Sequence, residues 1–286
     1  LPAEGYLSTL REQIGFDRYW RFPTLCWLSA SDSFLNLLCA TGVLCSLFLI
    51  IGIAPILSLI VLWMSYLSLT TIGQTFLAFQ WDSLLLETGF LAVFFAPLQI
   101  LPKLSHNLPP STCVLWLLRW LLFRLMFASG IVKLLSGDTT WLNFTALNFH
   151  YETQPLPTAI GWYAHQLPDW FQKLSVAAML GIEIIVPFLI FSPQRFRFFG
   201  AVAIVILQVI IAATGNYCFF NLLTIVLCVL LVDDTILRRF LPGRLCSRFA
   251  SSGANTGKSH SRTILITMLA AFILLVSGVR MTGTSL

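Results

Sequence analysis

The sequence predicts an all-α membrane protein, a bundle of about eight transmembrane helices with one long aromatic-rich outer loop, and three observations carry that prediction. Charged residues make up only 10% of the 286-residue chain, where an ordinary soluble domain carries about 25%. Hydrophobic residues make up 57%. No Asp, Glu, Lys or Arg occurs from Ser33 to Trp81 or from Phe198 to Val232, and each stretch is long enough for two spans of about 20 residues.

The expected spans are 33–53, 55–76, 84–101, 112–135, 172–191, 197–214, 217–232 and 263–280. Turn signals separate them at Gly52 to Pro55, Pro102, Ser192-Pro193 and Gly215-Asn216, and Asp32 and Asp169 are expected N-caps. Pro97 and Pro187 fall inside spans, where packed neighbours can re-satisfy freed carbonyls. The resulting organisation is an outer or interfacial segment 1–32, four helices in 33–135, an outer loop 136–171, three helices in 172–232, a basic loop 233–262, and an eighth helix with the chain end in 263–286.

Loop charge orients these segments, because Lys and Arg near span ends favour the cytoplasmic side. Lys103, Arg195, Arg197, Arg238, Arg239, Arg244, Arg248, Lys258 and Arg262 fall on one side, while 136–171 contains neither Lys nor Arg. The first side is therefore expected to be cytoplasmic, although Arg11, Arg18 and Arg21 precede the first span on the other. The net charge of +5 belongs to this asymmetry and to anionic headgroups; no nucleic-acid partner is expected. Residue 1 is placed outside, and with no initiating methionine the chain reads as a fragment that a further helix would precede.

Soluble enzyme classes have nothing to stand on, since Walker, G-x-S-x-G, H-E-x-x-H and dinucleotide motifs are absent. The seven cysteines form no C-x-x-C, so neither redox nor zinc chemistry is expected. Cys26 and Cys218 are expected near one membrane face, with two free thiols favoured over a disulfide.

The remaining polar residues need explaining, because a cation at the centre of a spanning helix costs about 2.5–3.5 kcal/mol. The fourth span carries Arg119, Arg124 and Lys133. Arg119 can snorkel inward and Lys133 outward, which leaves Arg124, eleven residues from the outer end. Equal depth along the fifth span predicts an Arg124–Glu183 pair, and the same reckoning predicts Glu87 with Lys133. Structural pairing is the favoured role, an outward polar cavity the sharper one. Asp82 is expected to cap the third span, with Trp81 in the aromatic belt, and Asn216 and Asn221 to satisfy backbone or neighbouring helices.

The outer loop packs Trp141, Phe144, Phe149, Tyr151, Trp162, Tyr163, Trp170 and Phe171 into a segment that either lies in the headgroups or meets a partner. His150-Tyr151-Glu152, with His165 nearby, offers an acid–base couple. It lacks the three or four ligands a metal requires, so ordinary loop hydrogen bonding is favoured and no metal, cofactor or catalytic residue is assigned. Asn143-Phe144-Thr145 is a glycosylation sequon, relevant only in a eukaryotic secretory compartment.

Three stretches resemble the lipase maturation factor family. They are Gln74 to Phe90, containing Gln80-Trp81-Asp82-Ser83 and Glu87; Arg119-Trp120 through Lys133 into Asp138-Thr139-Thr140-Trp141 and Asn148 to Pro157; and Gly215 to Thr224, closing at Asp233-Asp234. The resemblance implies a multi-pass protein, resident in the endoplasmic reticulum membrane in eukaryotes or the inner membrane in bacteria, whose partners are the bilayer and a secreted lipase or other exported client. Members usually begin with one more helix and continue into a lumenal domain. The compact loops also resemble those of bacterial relatives. The alternative is a membrane enzyme, because the helical body is broadly similar to the transmembrane domain of vitamin K-dependent carboxylase. That reading requires Glu87, Lys133, Arg124, Glu183 and His150 within reach of one substrate position. A transporter is ranked last.

Overall fold

In a computed structural model of the chain, the described residues are 2–97, 100–101, 111–233 and the helical positions 268, 270, 271 and 273. Lys103 and the basic positions from Arg238 to Arg262 lie outside them, as does the predicted span 263–280 apart from those four positions. Every regular element among the described residues is a helix. They form two compact units, one ending at Val114 and the other beginning at Leu115.

The first unit contains α1 (Ala3–Ile14), α2 (Arg18–Arg21), α3 (Asp32–Ile51), α4 (Pro55–Ile72) and α5 (Gln80–Phe95). Helix α1 is amphipathic. Its Leu7 and Leu10, one turn apart, are buried with Cys26, Leu38 of α3 and Ile72 of α4. Gly52 ends α3 in the left-handed conformation, φ 83°, and donates its N–H to the Leu49 and Phe48 carbonyls. Pro55 then opens α4, where its missing N–H leaves no helical bond unmade.

Helix α5 starts earlier than the sequence predicts and ends earlier too, at Phe95. Pro97 therefore follows the helix instead of kinking it, consistent with proline's bias against helical backbone in the residue before it. Asp32 and Asp169 are likewise first helical residues, preceded by the cap positions Ser31 and Pro168. The Ser31 side chain accepts from the Phe34 N–H.

The second unit is built on α6 (Thr112–Leu135), whose larger part lies within it, followed by α7 (Thr139–Leu142), α8 (Ala146–Thr153), α9 (Ala159–His165), α10 (Asp169–Ile184), α11 (Gln194–Thr214) and α12 (Phe220–Val229). Pro187 sits at the start of a 3-10 turn, Val186–Phe191, that continues α10. A 3-10 turn eclipses residues three apart, so Phe188 and Phe191 both reach the aromatic face of α6. Phe188 meets Phe123 and Phe127 at ring-centroid distances of 5.3 and 5.6 Å, and Phe191 meets Trp116 at 5.9 Å.

Five helices among the described residues are long and apolar enough to cross a membrane: Asp32–Ile51, Pro55–Ile72, Thr112–Leu135, Asp169–Phe191 and Gln194–Thr214. The expected spans at 84–101 and 217–232 correspond to α5, of 16 residues, and α12, of 10, both short for an upright crossing of about 20 residues. The chain is an all-α integral membrane protein, and five of its described helices are candidates to cross the membrane.

Close approach of α6 and α10 is set at Gly130. A β-carbon there would lie 2.5 Å from Ile184 Cγ1 and 3.1 Å from Glu183 Cβ, and small residues permit such contacts between membrane helices. Gly130→Val is expected to force the helices apart and destabilise the unit by about 1–3 kcal/mol. Thermal unfolding of the purified protein in micelles checks this, and an unchanged midpoint would contradict the contact.

Candidate functional site

Two polar constellations recur among the residues that the sequence singles out. In the first unit, Asp82 is almost fully buried at 2% exposure. It is the third residue of α5, not its N-cap; its Oδ2 accepts from the Phe79 N–H at 3.0 Å, a helix-start bond of the capping-box kind. Its Oδ1 accepts from the Tyr66 hydroxyl of α4 at 2.5 Å, which ties the start of α5 to α4. Trp81 stacks on Phe79 with centroids 4.5 Å apart.

In the second unit, Lys133 lies two residues from the end of α6 and Glu183 lies in α10. The Lys133 ammonium donates to both Glu183 oxygens, at 2.5 and 2.6 Å, while Nζ stands 5.5 Å from the centre of the Trp141 ring in α7. Both expected pairings are thereby corrected, because Glu183 pairs with Lys133 and not with Arg124, and Lys133 is not paired with Glu87. Neither Arg124 nor Glu87 stands free. The expectation assumed that α6 and α10 end at one height. Asp169 begins α10 fourteen residues before Glu183, about 21 Å at 1.5 Å per residue, so α10 extends well past the end of α6.

The loop between α6 and α10 packs beside that extension. Asp138 caps α7, its carboxylate accepting from the Thr140 N–H at 2.9 Å and held below the usual carboxylate range by that bond and by the Thr140 hydroxyl. Thr158 accepts from the Gly161 N–H at the start of α9 and donates to the Ala213 carbonyl of α11, both at 2.9 Å. Gly161 is required there, since a β-carbon would lie 2.6 Å from the Thr214 carbonyl oxygen. Asn148 of α8 donates to Asp169 at 2.9 Å, and buried Gln172 of α10 donates to the Ala164 carbonyl of α9 at 2.6 Å.

His150 occupies the inner face of this cap. Its Nε2 lies 2.8 Å from Gln154 Nε2 and 3.1 Å from the Tyr217 hydroxyl, with the His150 and Tyr217 rings nearly parallel. The Gln154 amide nitrogen can only donate, so His150 Nε2 accepts and the imidazole is neutral with its proton on Nδ1. Burial, and secondarily the Lys133 charge, hold His150 below its ordinary pKa of 6.5. Burial raises the Tyr151 and Tyr217 phenols, Tyr217 being raised further by Tyr151. Glu152 pairs with His165 at 2.9 Å. The His150-Tyr151-Glu152 couple is thus divided, with His150 turned to Tyr217 and Glu152 to His165.

The sequence predicts that Asn216 and Asn221 both satisfy backbone or neighbouring helices, but the buried Asn221 Oδ1 meets no hydrogen-bond partner among the described residues. Asn216 Oδ1 accepts a long bond from the Cys218 N–H at 3.5 Å, whereas Asn221 is buried in α12. Among the described residues no group of three or more His, Cys, Asp or Glu is arranged to hold a metal. Cys26 is buried and Cys218 exposed, and both are free thiols.

Residues 1–239 match the family model described as the lipase maturation factor transmembrane domain. The chain belongs to the lipase maturation factor family. It is 50% identical to chicken (Gallus gallus) lipase maturation factor 2 over 82% of this chain and 32% of that protein. It is 45% identical to human (Homo sapiens) lipase maturation factor 2 over 99% of this chain and 41% of that protein. Identity to mouse (Mus musculus) lipase maturation factor 1 is 38%, over 85% and 43% of the two chains. The chain thus spans between about a third and somewhat under half of the length of these relatives. No solved structure matches it.

Two of the three stretches that carry the family resemblance meet in the second unit, through Lys133, Trp141, His150 and Gln154 of one and Tyr217 of the other, while Gln74 to Phe90 lies in the first unit. Sequence reasoning missed Arg197, Asp233 and Tyr217 as members of polar constellations. Arg197 donates through Nε to the Leu231 carbonyl at 3.0 Å and through Nη2 to Asp233 at 2.5 Å. Arg119 donates to the Leu230 carbonyl through Nε and Nη2 at 3.3 and 3.1 Å. Two guanidiniums therefore satisfy carbonyls just beyond the last turn of α12, where cations also favour the helix dipole. Asp233 following a charge-free run was the legible signal; its partner was not.

Lys133→Met alone leaves the Glu183 carboxylate buried without its cation, and is expected to cost about 3–5 kcal/mol. The double variant Lys133→Met, Glu183→Leu is expected to recover most of that loss in thermal unfolding; equal losses in both would deny the pairing. Because the His150 pKa is lower folded than unfolded, its contribution is fully present above about pH 6.5 and is lost as pH falls through the folded value. Hydrogen exchange across residues 139–165 should rise on acidification, and His150→Gln should flatten that dependence.

Proposed function

We propose that this chain is the membrane-embedded part of a maturation factor that assists the folding or assembly of secreted lipases or other exported clients. In a eukaryotic cell it would reside in the endoplasmic reticulum membrane with α7–α9 facing the lumen. Family membership and the cation-free loop support that reading, and the relatives are themselves named for lipase maturation. The observation that carries it is the aromatic edge of α9 and α10, where Trp162, Tyr163 and Trp170 are 61%, 68% and 66% exposed. These rings stand on a cap whose backbone is tied down through Thr158, Gly161 and Gln172, so a client would meet an already ordered apolar surface.

The polar groups favour a folding factor over an enzyme. Lys133 and Glu183 neutralise one another, and His150 is engaged by Tyr217 and Gln154. They satisfy the bundle and its cap instead of converging on one reacting atom.

The test uses the full-length protein carrying Trp162→Ser and Tyr163→Ser, co-expressed with a secreted lipase. Recovery of the lipase with the membrane protein and secreted lipase activity are both expected to fall several-fold, with membrane insertion unchanged. Equal recovery and activity would remove this edge from the mechanism.

A further inference from the structure

The turn that follows α1 presents three large apolar side chains to the exterior. Phe16 is 85% exposed, Trp20 90% and Leu28 81%, and each ring carries about 150–250 Å² of surface. The backbone beneath them is firmly held. Gly15 redirects the chain at φ 60°, a conformation open to glycine. The Arg18 guanidinium donates to the Gly15 carbonyl and the Tyr19 hydroxyl, both at 2.8 Å. It lies over the Tyr19, Trp27 and Phe16 rings at 4.5, 5.4 and 5.8 Å.

The next residues are joined to α4. The Leu25 N–H donates to the Ser68 hydroxyl at 2.8 Å, and the Thr71 hydroxyl donates to the Pro23 carbonyl at 3.1 Å. Trp27 is turned inward, donating through Nε1 to the Phe22 carbonyl at 3.0 Å. Polar groups of the turn thus bond within the unit, while Phe16 and Trp20 project from it.

We propose that this turn is an in-plane bilayer anchor: Phe16, Trp20 and Leu28 insert at the boundary between headgroups and acyl chains and set the height of the α3–α4 hairpin. Continuity with the membrane helices selects lipid as the occupant. The turn is bonded to the last turns of α4, and Leu28 lies just before α3. Helix α3 is a candidate span with only 6% of its apolar window buried, and Leu37, Leu44 and Leu47 continue its outward apolar surface. Tryptophan at such a boundary places an apolar ring in lipid and its N–H among headgroups.

Charge separates this anchor from a polybasic one. Across 1–32, Arg11, Arg18 and Arg21 are outnumbered by Glu4, Glu12, Asp17 and Asp32, and the Arg18 charge is folded onto its own rings. Apolar partition, not attraction to anionic lipid, drives the insertion, and zwitterionic phosphatidylcholine suffices.

The test reconstitutes the whole chain and its Trp20→Phe variant in phosphatidylcholine vesicles. The difference in their tryptophan emission isolates Trp20, whose exposure means that the substitution removes little packing. That difference signal is expected to be quenched at least twofold more by lipid brominated near the carbonyl end of the acyl chains than by lipid brominated near the methyl end. Aqueous iodide should quench it weakly. Adding phosphatidylserine is expected to leave the pattern unchanged. Iodide quenching comparable with that of free indole would place the ring in water and overturn the proposal. Strongest quenching by the deep bromine would place it in the acyl core, and protection from all three quenchers would mean that protein covers it. Shallow quenching confined to vesicles containing phosphatidylserine would overturn the apolar mechanism.

Discussion

Hydrocarbon offers no hydrogen-bond partner, so a polar group carried into it must be satisfied by the protein itself. The Lys133–Glu183 pair is the point at which this constraint shapes the second unit. The two side chains meet only because Gly130 lets α6 approach α10 closely beside Glu183 and Ile184. That register carries α10 beyond the end of α6, and the loop helices find packing partners along the extension. The cap with its aromatic edge is thus a consequence of where two opposite charges had to meet.

The same requirement operates elsewhere with other partners. Asp82 takes a backbone N–H and the Tyr66 hydroxyl, which lets a carboxylate sit buried at the start of α5. Arg119 and Arg197 take the carbonyls beyond α12 that the short helix leaves open. These bonds engage the charged side chains within the bundle, and under the proposed function the surfaces left for contact with lipid or client are apolar: the α9–α10 edge in one unit and the Phe16–Trp20 turn in the other.

A pH-sensitive element lies inside the cap. His150 accepts from the Gln154 amide only while neutral, and protonation would set a second cation near Lys133. The surrounding groups decide the consequence: Lys133 opposes protonation, Glu183 is already committed to Lys133, and Tyr151 and Tyr217 are held protonated by burial. Acidification is therefore expected to loosen the contact between α8 and the turn before α12.

By itself, the sequence determined the class of molecule, the family, and the main turns, because apolar run length, proline and glycine act locally. It also indicated which loop concentrates aromatic residues. Partners were another matter. Arg124, Lys133, Glu87 and Glu183 were all legible as costly groups, but counting residues from assumed helix ends gave the wrong pairs, since relative helix height depends on packing at Gly130. The partners of Tyr217, Arg197 and Asp233 were hidden for the same reason: they lie far away in the chain. Local chemistry writes the helices, whereas only the tertiary structure decides how far one slides past another and hence which charges touch.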